Sequence, residues 1–447
     1  MQFKLPSDVK EILLKFKKNN FDIYIIGGAV RDLLMGKIVY DWDFTTNATP
    51  DEILSILPEG FYDNIFGTVG LSIENQDNPF QITTYRTEYG YSDSRRPDKV
   101  SWGKSLEEDL QRRDFTINAL AYDGEKIIDL YDGQKDLEKK LLKAVGDPNE
   151  RFREDALRMM RAVRIAGELK FQIEKNTFEA IQGNAKLINN IAKERVKDEL
   201  FKILKSDNPY AGIFHLKESG LMQEIIPELM KCFGVEQKSP NRHHIYDVGD
   251  HLLMSLKECK SKDPITRFAT LIHDIGKPQT YRKLPTGVIT FYNHEMVSTR
   301  IAENIADRLK LSSKEKDKLV KLVRFHQFTV DENQTDSAVR RFITNVGLEY
   351  VEDMLDLRVA DRLGGGASET SWRLEEFKKR LIEVQKQPFA IKDLKINGKD
   401  VMEKLNIKPG PKVGEILEKL FNDVVENKTQ NERESLLKSL LDLFPSN

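Results

Sequence analysis

The sequence has only two cysteines, Cys232 and Cys259, in 447 residues. That is too few for a disulfide framework or a four-thiolate zinc site, so a reducing, cytoplasmic setting is expected. No apolar run approaches the ~20 residues that a membrane-crossing helix needs. The charges spread through the opening "MQFKLPSDVKEILLKF" argue against a secretory signal. An excess of one charge is missing too, since 70 Lys and Arg stand against 72 Asp and Glu. Bulk charge therefore announces no nucleic-acid partner, although local clusters such as "QRRDF" and "RFREDALRMMRAVRIAGELK" can still form a basic footprint. Internal repeats and low-complexity tracts are absent. The length allows two to four domains.

What is present divides the chain. "FDIYIIGG", "VGLSI" and "QITTY" are β-branched and aromatic runs that predict strands, while "SDVKEILLKFKKN" and "TPDEILSIL" have helical spacing behind Ser or Thr caps. From about Glu150 the pattern is almost wholly helical, broken by the hairpin-like "QTYRKLPTGVITFYNH". An α+β chain is expected, with a mixed head and an all-helical body.

"YIIGGAVRDLLMG" reads as a strand, a turn at Gly27 and Gly28, and a helix from near Ala29. Two glycines let a backbone approach a ligand closely, the N–H groups of a helix start attract phosphate, and Arg31 adds a fork for phosphate oxygens. A Gly-Gly turn alone is usually only a turn. In "YDWDF", however, Asp41 and Asp43 stand two apart, and strand geometry turns both to one face. Solvated acids on an edge strand are the bland alternative. Following "GGAVRD", the pair reads better as a carboxylate site for a divalent cation shared with substrate phosphates.

"IIGGAVRDLLMG…DWDFTTNATP" resembles the signature of class II tRNA nucleotidyltransferases (CCA-adding enzymes) and bacterial poly(A) polymerases. The resemblance implies a polymerase-β-like head, a small mixed sheet with helices, in which Asp41 and Asp43 hold two Mg²⁺ ions. It also implies CTP and ATP as substrates.

In "RRDFTINALAYD", Arg112 and Arg113 suit either triphosphate or helix packing, and Asp114 can accept from a ribose hydroxyl. The family carries "RRDFT-NA" here, which aligns Arg112, Asp114 and Asn118 with nucleotide-binding positions. The preceding "TYRTEYGYSDSRRPDKVSWGKSLEEDLQ" is polar and aperiodic and predicts a mobile loop. The family's loop here helps switch from C to A addition and looks shortened in CC-only enzymes; this one is not shortened.

"EDALRMMRAVRIAGEL" predicts one helix, with Glu154, Asp155, Arg158, Arg161 and Arg164 along one face and Ala156, Met159, Met160 and Val163 packing. Local ion pairs on a charged face would explain these residues. A sharper reading is that Asp155 accepts from an exocyclic amine while Arg158 donates to a ring nitrogen or carbonyl, which suits C and A but not U and G. The family's E-D-x-x-R motif matches Glu154, Asp155 and Arg158, with Glu154 orienting the arginine.

Of seven histidines, four recur near suitable acids: His251, His273 beside Asp274 in "HDIGKP", His294 and His326, with Asp361 in "LRVADRLGGG". Mixed imidazole and carboxylate ligands of this kind can hold one or two divalent ions. The pattern H…HD…H…H…D resembles the HD phosphohydrolase superfamily, and Lys277 could pair with a substrate phosphate. An ion there could serve hydrolysis of a phosphomonoester or 2′,3′-cyclic phosphate, or only the fold.

Four units follow: a nucleotidyltransferase head (1–148), a helical neck and RNA-binding body (149–238), an HD metal-binding domain (239–368) and a helical tail (369–447). Gly410–Pro411 opens a helix whose start suits a backbone phosphate. The family's tail grips the tRNA elbow, while the body offers a path for the acceptor stem. Template-independent CCA addition to tRNA is the expected activity. Addition of the terminal A alone, poly(A) synthesis, or a phosphohydrolase with a degenerate head are the alternatives. Composition gives no oligomeric state.

Overall fold

In the head, nine strands form in chain order: β1 (Ile23–Ile26), β2 (Asp43–Thr46), β3 (Phe61–Asn64), β4 (Thr68–Leu71), β5 (Phe80–Thr84), β6 (Arg86–Tyr89), β7 (Lys99–Trp102), β8 (Leu120–Tyr122) and β9 (Ile127–Asp129). The structure, a computed structural model, describes residues 3–64, 67–74, 76, 78–89, 99–102, 105–237, 245–328, 335–385, 391–426 and 428–444. Seven strands make one mixed sheet in the order β3-β4-β5-β2-β1-β8-β9. Only β2 and β5 pair in parallel there, with Asp43 opposite Gln81. That pairing places the starts of β2 and β5 side by side.

The central strands are apolar on both faces because both are covered. One face packs on a core that includes Val9, Phe16, Phe44, Ile53 and Phe80; the other carries Ile26, Tyr85, Leu110 and Ala121. Thr49 starts the helix Pro50–Ile56 with a reciprocal capping box to Glu52, as its sequence predicts. The first helix, Ser7–Lys18, starts instead behind Pro6 without a side-chain cap.

Two expectations change. The segment expected as a loop contains β6 and β7, which pair antiparallel, and the helix Leu106–Gln111. Its Tyr, Thr, Val and Trp supply strand propensity that its polar composition hides; residues 90–98 and 103–104 lie outside the described set. The single helix expected over 154–169 is two, Pro148–Glu154 and Leu157–Leu169, parted at Asp155 in an extended conformation. The Asp155 carboxylate accepts from Leu157 N at 3.0 Å, a local bond that competes with helix continuation.

Beyond the neck, helices predominate. A two-residue parallel pairing, β10 (Leu141–Leu142) with β11 (Gln172–Ile173), ties head to neck, and β12 (Arg282–Lys283) with β13 (Ile289–Thr290) forms the expected hairpin. One apolar core runs without interruption from Phe115 to Val384, and the tail keeps its own between Leu394 and Leu440. No helix among the described residues is long and apolar enough to cross a membrane. The neck helix Leu157–Leu169 meets Pro209–Glu218 at two glycines: a Cβ on Gly167 would lie 2.8 Å from Gly212 N. Gly167→Val should therefore destabilise the chain by about 1–3 kcal/mol, read as a lower urea midpoint. An unchanged midpoint would mean the helices can separate freely.

Candidate active site and metal centre

The Gly-Gly turn is shaped by one close approach. Gly27 has φ +69°, and a Cβ there would sit 3.0 Å from Arg113 Nη1. Glycine suits both the left-handed backbone and the space. The following helix, Gly28–Leu34, brings Arg31 to Asn118, whose Oδ1 accepts from Arg31 Nη1 at 2.9 Å. Asn118 Nδ2 donates to Asp114 Oδ1 at 3.2 Å, and Asp114 Oδ2 lies 2.7 Å from Arg161 Nη2 on the neck. A continuous polar line thus runs from the helix behind the Gly-Gly turn to the neck helix. Burial raises the pKa of Asp114, but Arg161, Arg158 and Asn118 outweigh it and hold the carboxyl below its usual range.

Asp43 begins β2, whereas Asp41 lies outside the strand, contrary to expectation. Trp42 is buried between them and anchors the segment, leaving Asp41 exposed to accept from Asn78 Nδ2 at 2.6 Å. Asn78 can do so because the parallel β2–β5 pairing sets the two strand entries together. Burial pushes the Asp43 carboxyl up, Arg113 draws it down, Asp41 raises it again, and the net direction is up. Two carboxylates in electrostatic contact, one of them half-buried, fit a hard divalent cation that would offset their shared charge.

At the neck, Arg158 Nη1 donates to Glu154 Oε2 at 2.6 Å and to Arg151 O at 3.3 Å, and Nη2 donates to Arg112 O at 2.9 Å. Glu154 therefore does meet the arginine. Asp155 is held by Arg195 Nη2 at 3.3 Å. Arg112 turns to Asp109 at 2.5 Å through its side chain, and Arg113 reaches the same carboxylate at 3.3 Å. Arg164, expected on the same face, pairs instead with Glu199 at 2.8 Å and Glu168 at 3.0 Å. Each step of three residues rotates about 60° around a helix, so Arg164 has swung well away from Arg158.

The second cluster gathers all six expected residues. His251 Nε2 lies 3.2 Å from Asp361 Oδ1 and 3.6 Å from Asp274 Oδ2. His294 and His326 Nε2 approach Asp274 Oδ1 at 2.9 and 3.4 Å. His273, His294 and His326 each point Nδ1 at a backbone carbonyl three residues upstream, at 2.8, 2.8 and 2.7 Å. His273 and His326 follow the last residues of the helices Pro264–Ile272 and Ser313–Phe325, where carbonyls lack helical partners. The bond keeps the Nδ1 proton and turns the Nε2 lone pair inward, the usual support for a metal-binding imidazole. His273 Nε2 is buried without a hydrogen bond, and two overlapping groups, His251/His273/Asp361 and His273/Asp274/His326, have ligand atoms within 4.8 Å of one another. These residues fit a divalent ion. Burial lowers the His273 pKa, but Asp274 and Asp361 raise it to about 10. Lys277 Nζ also sits 2.5 Å from Asp274 and 2.6 Å from Gln237 Oε1.

Comparison with known proteins settles the family. Residues 23–143 match the Poly A polymerase head domain, 170–233 the RNA and SrmB- binding site of polymerase A, and 288–440 tRNA nucleotidyltransferase domain 2. A CCA-adding enzyme of Ligilactobacillus salivarius is 34% identical over 97% of this chain and 96% of its own. The chain belongs to the CCA-adding enzyme family. A Lactococcus lactis subsp. lactis member is also 34% identical, over 97% of both chains. The Bacillus stearothermophilus CCA-adding enzyme solved with CTP is 27% identical, with a TM-score of 0.70 and 98% of each chain covered.

For a CCA-adding enzyme, the residues that sequence reasoning left out of the site are Arg151 and Arg195, while Arg113 was left open between triphosphate and helix packing. Arg113 lies against Gly27 and acts on Asp43, and only its place in "RRDF" hints at this. Arg151 binds Glu154 at 2.6 Å, and Arg195 binds Asp155 from 40 residues away. The His/Asp cluster also depends on glycine: a Cβ on Gly364 would stand 2.3 Å from Ser255 Oγ and 2.5 Å from its backbone N. Gly364→Ala must push the Asp361 helix off the His251 helix. It should weaken Mn²⁺ or Zn²⁺ binding at least tenfold by calorimetry while CTP binding holds; unchanged metal affinity would show that the helices' spacing does not set the cluster.

Proposed function

We infer that the chain adds C, C and A to the 3′ end of tRNA, taking nucleotides from CTP and ATP without a nucleic-acid template. Its support is the polar line from Arg31 through Asn118 and Asp114 to Arg161, which ties the helix behind the Gly-Gly turn to the neck helix that also carries Arg158. Similarity to CCA-adding enzymes along nearly the whole chain, one of them solved with CTP, and a tRNA nucleotidyltransferase match point the same way.

In this reading the N–H groups behind Gly27 and the guanidinium of Arg31 hold the triphosphate, with Arg113 beside them. Asp114 accepts from the ribose hydroxyl, and Asn118 and Arg161 fix its orientation. Asp155 accepts from the base's amine, and Arg158 donates to the neighbouring ring atom; Arg195 and Glu154 position the pair. Both C and A present an amine next to an acceptor nitrogen, so one pair serves both. Asp41 and Asp43 would hold two Mg²⁺ ions, and the chemistry supplied there would be activation of the primer hydroxyl and stabilisation of the leaving pyrophosphate.

The four units of 1–148, 149–238, 239–368 and 369–447 belong to the same reading, with the body and tail contacting the acceptor stem and elbow in a cytoplasmic enzyme. So does a metal-dependent phosphohydrolase activity at the His/Asp cluster. Asp361 favours it, being the one of the six residues that is not fully buried.

tRNAs lacking three, two or one of the terminal nucleotides, each offered CTP, ATP, UTP and GTP separately, test the assignment. Asp43→Ala should end incorporation while tRNA affinity stays within a few-fold; continued turnover removes the metal role. Asp155→Ala should relax rejection of UTP by about 1–3 kcal/mol. Undiminished rejection would show that the base is sorted elsewhere.

A further inference from the structure

Residues 36–42 join the helix Gly28–Leu34 to β2. Val39 and Trp42 pack into the head core, and their neighbours Ile38, Tyr40 and Asp41 face water. Ile38 and Tyr40 are 73% and 72% exposed, and with Tyr292 they are the most exposed large apolar side chains among the described residues. Single exposed apolar residues are ordinary. A pair on a short anchored loop, ending one residue before an active-site carboxylate, marks a contact surface.

Tyr40 and Asp41 have adjacent Cα atoms, about 3.8 Å apart. A nucleotide whose 3′ hydroxyl is held at Asp41 therefore has its base within a side chain's length of residue 40, where the Tyr40 ring is 72% exposed. The incoming base is already assigned to Asp155 and Arg158 on the neck. The primer's terminal base changes after every addition, so a contact to it has to tolerate different hydrogen-bonding edges. An aromatic face does that, because every base has a π-face.

We propose that Tyr40, flanked by Ile38, is the shelf on which the 3′-terminal base of the RNA under extension stacks. This rests on the reading of Asp41 and Asp43 as the transfer centre. The shelf positions the terminal nucleotide and takes no part in the chemistry.

The test uses the full chain and a tRNA ending in 2-aminopurine, whose fluorescence falls when it stacks, in buffer without divalent cations. Wild type and Tyr40→Phe should quench it; Tyr40→Ala should not. In steady state, Tyr40→Ala should raise the KM for tRNA about 5- to 100-fold, the range of one base–aromatic stack, and leave the KM for CTP unchanged. Ile38→Ala, a second variant at an exposed position, should raise the tRNA KM by a smaller factor. A Tyr40→Ala enzyme with wild-type quenching and wild-type KM overturns the shelf while leaving CCA addition standing. A wild-type protein that extends no tRNA overturns the functional reading itself, and the shelf with it.

Discussion

The structure turns on the guanidinium of Arg158. It is nearly buried, and its donors go to Glu154 and to the carbonyls of Arg151 and Arg112. The last of these belongs to the head and the first two to the neck. A buried cation is tolerable only when its donors are satisfied, so the head–neck angle is set by the geometry that satisfies this one. Asp155 and Arg158, the pair proposed to sort the base, sit at this junction. Arg161, one turn along, repeats the device by reaching Asp114 in the head, so two arginines on one helix register the neck against the nucleotide-binding turn.

A different economy holds the His/Asp cluster together. Two of its imidazoles, His273 and His326, borrow carbonyls from helix ends, groups that would otherwise need water or a cap. Burial and orientation therefore come from one bond. Glycines do the remaining work: Gly364 lets the helices of His251 and Asp361 touch, and Gly276 lets the "HDIGKP" turn lie against the helix of His294, where a Cβ would stand 2.5 Å from Ser298 N. The cluster is a product of close helix packing, and so it is sensitive to volume far from any ligand atom.

How much of this could be read beforehand depends on the range of the interaction. The Gly-Gly turn, the acids around Trp42 and the spaced histidines were legible because residue type and short spacing carry their chemistry. The break at Asp155 was not: no Gly or Pro marks it, and "EDALRMM" keeps a helical period across it. It comes from a side-chain bond to Leu157 N together with the pull of Arg195, 40 residues on. Arg164 misled for the same reason. Helical spacing puts it near Arg158, while Glu199, 35 residues away, decides where it points. Asp41 fell outside β2 because buried Trp42 fixes the segment before the strand begins. Pattern reading sees periods along the chain; it does not see which distant acid will claim an arginine.

The near balance of charge over the whole chain is matched locally, because the basic groups of the site are met by acids. Each arginine around the site meets an acid, two of them shared: Arg31 with Asp32, Arg112 and Arg113 with Asp109, Arg151 and Arg158 with Glu154, Arg161 with Asp114, Arg195 with Asp155. Paired charges cancel beyond about a Debye length, roughly 8 Å at physiological salt, so the site exerts little long-range pull on a polyanion. Its hold on a triphosphate must then be short-range, through N–H groups and guanidinium faces reached only on contact. In the proposed reading such a site would discriminate by fit, because an incorrect base would recover none of the bonds that its entry disturbs. Selection among nucleotides that carry identical phosphates requires a framework of this kind, and composition, which sums charges without placing them, is blind to it.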